Sequence, residues 1–255
     1  MHRAMGSAAI LCLALAFSCA RAPRGPIDPT LASCIPPDAI ALAGVNLDQL
    51  RASPLYAKLP PGASAFLQPL REASYVLAAY NGKDVLAVAR GAFHEAPPGA
   101  TLLAGDLAIT GSPAAVRAAQ AQRQTGRPGA PWLMERAATA ANNSQIWVAA
   151  QGGATFPLTG DAANVNRFLA LAESISLTVR LDAAVHLEAA AACRTPDDAR
   201  QLEENLRAFL TFAARGAGKD RGLATLLSSI QVERNGLAVR AAVTANPDEA
   251  GKLIP

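Results

Sequence analysis

Histidine is almost missing from this chain: there are three in 255 residues, and only His94 and His186 lie beyond the first apolar segment. A hydrolase usually activates its nucleophile with histidine, so such chemistry could rest on two residues at most. Charge is equally thin. Lys and Arg number 23 against 20 Asp and Glu, a net +3 that drops to about +2 once Arg3 is removed. Nucleic acid demands a clustered basic face, and these charges are too few and too scattered. Aromatic residues make up 5% of the chain, and none of the four cysteines stands in a C-x-x-C pair, which disfavours redox catalysis and zinc. Long hydrophobic runs are missing too. The apolar stretch 8–17 is shorter than the roughly 20 residues a spanning helix needs.

The catalytic motifs are missing as well: there is no G-x-S-x-G, S-x-x-K, H-E-x-x-H or EF-hand loop. Gly216-Ala217-Gly218-Lys219 lacks the earlier glycine of a phosphate loop and is followed by Asp220 where Ser or Thr would hold magnesium; a helix break is the natural reading. No cofactor is expected. His94 lies in a Pro-rich loop beside Glu95, a surface position from which it could still act as a base. His186 alternates with Val185 and Leu187 on a strand and faces solvent or the other half of the chain.

What is present is an address. Arg3, the apolar core 8–17 and small residues at the end have the form of a secretory signal. Ser18 and Cys19 close it, and here the chain resembles bacterial lipoprotein precursors. Their lipobox is a leucine, two small residues and a cysteine that becomes the acylated first residue. Cys19 matches; Ala16 stands where leucine is preferred, with Leu15 one place earlier, and Phe17 where a small residue is usual. The resemblance covers the signal only and implies a lipid on Cys19, with a membrane as partner. Ala20, in place of aspartate, points to the outer membrane in a two-membrane cell. Two ordinary secretory cuts, after Ser18 and after Ala22, and an uncleaved anchor compete with lipidation.

Residues 19–33 read as a Pro-rich tether, because proline forbids helix and stiffens an extended chain. Arg21 and Arg24 could touch anionic head groups or simply keep the tether soluble. Cys34 and Cys193 remain in the mature chain, and an oxidising compartment allows them to pair or to stay as small buried residues.

The body reads as α+β: antiparallel sheets with helices packed on one face, in two similar halves, 34–130 and 131–255. Asn81-Gly82 and Asn235-Gly236 mark tight hairpins between alternating runs. A third hairpin is expected across Gly105-Asp106. Helices are expected at 47–58 and 64–72, at 113–124 after Ser112, at 132–141, at 162–173 and through 196–228. In the last of these, Ala199, Leu202, Leu206, Phe209 and either Phe212 or Ala213 recur at three and four residues, leaving Arg200, Glu203, Glu204 and Arg207 for water. One tryptophan of Trp132 and Trp147 should fill the core between halves, and the other could anchor a partner. The order of strand, helix and hairpin occurs twice, as a duplication or as the ordinary grammar of an α+β chain. The body also faintly resembles uncharacterised secreted bacterial proteins with paired α/β repeats. Together these features predict an envelope-anchored, non-enzymatic binding or assembly lipoprotein with an envelope protein partner, otherwise periplasmic or secreted. The alternative is a secreted hydrolase with a site near His94 or between the halves.

Overall fold

Asn81 shows how the strands are joined. Its side-chain oxygen accepts from the backbone N–H groups of Lys83 and Asp84, at 3.1 and 2.8 Å, while Gly82 takes φ +96°. Only a residue without Cβ adopts that conformation freely, so the chain turns here between β2 (Ala73–Tyr80) and β3 (Val85–Gly91). The Gly105-Asp106 and Asn235-Gly236 turns join β4 (Thr101–Ala104) to β5 (Leu107–Gly111) and β9 (Gln231–Asn235) to β10 (Ala238–Ala245). All three hairpins lie where the sequence predicts them.

The computed structural model describes residues 27–58, 67–142, 144–157, 164–218 and 220–246. The signal segment, Cys19, Arg21 and Arg24 lie outside the described residues. With β1 (Ala41–Asn46), β6 (Ile146–Gln151), β7 (Ala172–Leu181) and β8 (Val185–Cys193), the strands form one antiparallel sheet. Its order is β4-β5-β3-β2-β1-β6-β7-β8-β10-β9. Outward from the central β1 and β6 pair, β2, β3, β5 and β4 on one side match β7, β8, β10 and β9 on the other. The two halves therefore share a single sheet, and the fold is α+β.

Helices cover opposite faces of its two ends. Leu42, Leu77, Leu86, Val88, Ile109 and Trp147 pack against α1 (Pro29–Ala32), α3 (Pro113–Gln124) and α4 (Pro131–Ala141). On the other face Val45, Val76 and Val179 meet α2 (Leu47–Ala52) and Phe93. Further along that face Ile175, Ala191 and Val239 meet Phe168 of α5 (Asn164–Leu171) and Ala199 and Leu202 of α6 (Pro196–Gly216), whose C-terminal end packs with α7 (Arg221–Ser229). Trp147 is the tryptophan in the core, buried across from Gly44 with its indole N–H donating to Tyr75 Oη at 2.9 Å. Trp132 is at the surface with the Arg136 guanidinium 3.9 Å above its ring.

Several expectations need correction. Asp28 caps α1 and Pro29 occupies its first turn, where proline costs nothing; Ile27 and Leu31 are buried, so the end of the expected tether belongs to the core. The helix expected over 47–58 stops at Ser53, before Pro54, and Tyr56–Lys58 is a separate 3₁₀ turn. Of the stretch 64–72, residues 64–66 lie outside the described residues, Leu67 is helical, and the 3₁₀ turn Gln68–Leu70 follows it. The helical region 196–228 does break where Gly216-Ala217-Gly218-Lys219 marks it, into α6 and α7, and Asp220 caps α7 by accepting from the Leu223 N–H at 3.1 Å. Phe212 is 78% exposed, beyond the buried stripe of α6. Glu203 is not left to water: its side chain is 13% exposed and binds Arg207 and Arg234 at 2.9 and 2.8 Å. Cys34 and Cys193 are free buried thiols in different clusters, so the bridge between them is absent.

Candidate functional site

Alternation on β7 places Ile175 and Val179 toward the helices on their side, so Ser176, Thr178 and Arg180 face the opposite way. Register extends this polar face across the next strands. Thr178 pairs with Glu188 and Arg180 with His186 on β8, and these stand beside Ala242 and Thr244 on β10. The equivalent face of the first half is apolar and covered by α3 and α4. Past the C-terminal end of α4, the face over β8 and β10 carries no helix among the described residues.

At this boundary lies a cleft of about 340 Å³, walled by Thr139, Ala140 and Ser144 on one side and by Thr178, His186 and Thr244 on the other. His186 is its centre. Nε2 lies 3.1 Å from Asp182 Oδ1 and Nδ1 lies 3.0 Å from Thr244 Oγ1. Asp182 also accepts from the Ala184 N–H and from Arg180 Nε, each at 3.1 Å. The Ala184 N–H chiefly, with His186 and Arg180, holds the Asp182 carboxyl below the usual carboxylate range. Glu188 and Arg240 form a second pair at 2.6 Å. The cleft thus gathers the one strand histidine with Glu188, Arg180, Arg240 and the hydroxyls of Thr139, Ser144, Thr178 and Thr244, while Asp182 joins it through its bond to His186.

His94 is elsewhere. Its side chain is 86% exposed and its Nδ1 stands 3.8 Å from Glu72, whose other oxygen accepts from the His94 backbone N–H at 3.1 Å. An open groove of about 680 Å³ runs beside it. No group of three or more His, Cys, Asp and Glu side chains fit to hold a metal ion occurs among the described residues. No described helix is long and apolar enough to cross a membrane.

The sequence places His186 on a polar strand face but does not reveal its partners. Asp182, four residues away, could be suspected from the turn that follows β7; Thr244 is 58 residues distant and meets His186 only through the β8 and β10 register.

No protein-family model matches the chain, and no curated protein matches it significantly. Among solved structures, crystal form III of the protein TP0453 is similar, with TM-score 0.51 and 11% identity, covering 89% of this chain and 98% of that one. Crystal form I of the same protein gives TM-score 0.50, 11% identity and coverage of 89% and 97%. At this identity the likeness is one of fold.

Proposed function

We propose that the chain is an envelope-anchored lipoprotein, held to a membrane through a lipid on Cys19, whose body binds or assembles with another envelope component. The observation that carries this reading is the polar face of β8 and β10, over which no helix lies among the described residues. It is wide, rigidly paired into the sheet and lined with charges that neutralise one another, as suits a surface that meets a polar partner. The signal and the cysteine at its end support the address. Two or more acyl chains anchor stably where one does not, at about 0.8 kcal/mol per buried methylene.

Photo-crosslinking in a bacterial host tests the docking face. A photoreactive residue at Ala190 on β8 or Ala242 on β10 should give one discrete adduct in the envelope fraction, while the same residue at Ser228 on α7 should give none. Equal or absent crosslinking from both positions would contradict it.

One observation favours a second reading, an exported hydrolase with its site between the halves: the cleft beside α4 is lined by His186 and Glu188, and His186 is held from behind by Asp182. A histidine oriented by a carboxylate is the usual base for hydrolysis. Turnover of a chromogenic ester that His186→Ala removes would support it, and turnover indifferent to that change would sink it.

A further inference from the structure

We infer that Thr244 is a nucleophile activated by His186 and Asp182, and that the cleft beside it takes small uncharged carboxylic esters. This rests on the second reading above and goes further by naming the attacking atom and the substrate class.

Proton placement follows from the bonds. Asp182 is fixed by the Ala184 N–H and by Arg180, and as a solvent-exposed carboxyl it is ionised at neutral pH. An ionised carboxylate only accepts, so the proton of a neutral His186 ring sits on Nε2, against Asp182. Nδ1 then carries a lone pair 3.0 Å from Thr244 Oγ1, and the hydroxyl donates to it. This is the acid, base and hydroxyl order of an activated nucleophile, recognised by role rather than by position in the chain. The sheet supplies the geometry: register sets Thr244 directly beside His186 and Arg180 on its other side.

In the reaction Oγ1 attacks the ester carbonyl carbon as its proton passes to Nδ1. The adduct collapses, the bond to the leaving oxygen breaks, and the alcohol departs with the proton from Nδ1. Water then attacks the acyl group on Thr244, giving a proton to Nδ1. Collapse returns that proton to Oγ1 and frees the acid, so ester and water become acid and alcohol. Arg180 engages Asp182 through Nε and also lines the cleft, which keeps a guanidinium close to the reacting group.

The walls set the substrate. About 340 Å³ lies at the small end of ligand sites. The charges on the walls are paired, Glu188 with Arg240 and Asp182 with Arg180, so no single unpaired charge is offered to a substrate and a short uncharged acyl group fits.

The test uses the mature full chain with p-nitrophenyl acetate, following nitrophenol release, intact mass and peptide mapping. Wild type should release nitrophenol and carry one acetyl group on the peptide containing Thr244. Thr244→Ala and His186→Ala should each lose at least about 100-fold in rate, and Thr244→Ser should retain turnover and be acetylated at the same position. Circular dichroism checks that each variant is folded, as expected for exposed or half-buried positions. If His186→Ala loses turnover while Thr244→Ala keeps it and no acetyl is found, the nucleophile assignment is overturned and direct attack by water from His186 stands. If every variant turns over like wild type, both the assignment and the hydrolase reading fall.

Discussion

Gly44 pairs with Trp147 at the centre of the sheet, and a Cβ added there would stand 2.3 Å from the nearest indole atom, far inside contact distance. Gly44→Ala should therefore cost about 3 kcal/mol or more, since Trp147 is buried and has no room to withdraw; thermal melting reads this directly. Arg90 holds a second key position, bonding Asp28 of the α1 cap and, at 2.9 Å, Asp106 of the β4 to β5 turn. Burial pushes the Asp28 carboxyl up, but bonds from Arg90 and the Thr30 N–H outweigh it, leaving the group below its usual 3.8. A depressed carboxyl stabilises the fold above its unfolded value and loses that contribution as pH falls through its folded value. Asp28→Asn should thus cost about 1–2 kcal/mol at pH 7, and the gap to wild type should shrink in urea melts at pH 3. A gap that stays constant would contradict this role. Cys34 and Cys193, their thiols pushed up by burial, should react with a thiol reagent only after unfolding, and reductant should leave the melting temperature unchanged.

At the scale of elements, β9 is an edge strand, and edges invite pairing with other chains. Arg207 of α6 donates to the Val232 carbonyl at 2.9 Å and so occupies an outward-facing acceptor of that edge. Arg207→Ala should free it and produce concentration-dependent association in sedimentation experiments, whereas a variant that stays monomeric at high concentration would remove the guard role. The hairpins were legible because Asn-Gly acts locally, and α6 because Thr195, Pro196 and two aspartates announce its start. The Ser53 stop and the 3₁₀ turns were not, since the apolar spacing of 47–58 continues past Pro54. Pro29 was misread because proline breaks a helix interior yet suits a first turn. Glu203 was misread because its partner Arg234 comes from β9, 31 residues on.

In the whole molecule, β1 and β6 bind the two halves into one sheet through the pairs from Ala41 and Ala150 to Val45 and Ile146. The halves should unfold together, with Trp147 fluorescence and far-ultraviolet circular dichroism tracing one transition; two separated transitions would contradict a shared core. The α+β class and the polar face of β7 were readable from alternation. The cleft was not, because its walls come from α4, β7, β8 and β10, and strand order across the sheet leaves no mark in local sequence. The proposed lipid anchor is tested most directly by the intact mass and membrane partitioning of wild type and Cys19→Ala made in a bacterial host. An acylated, membrane-retained wild type and a soluble, unmodified variant are the expected result. An unmodified wild type that stays soluble would contradict the anchored lipoprotein.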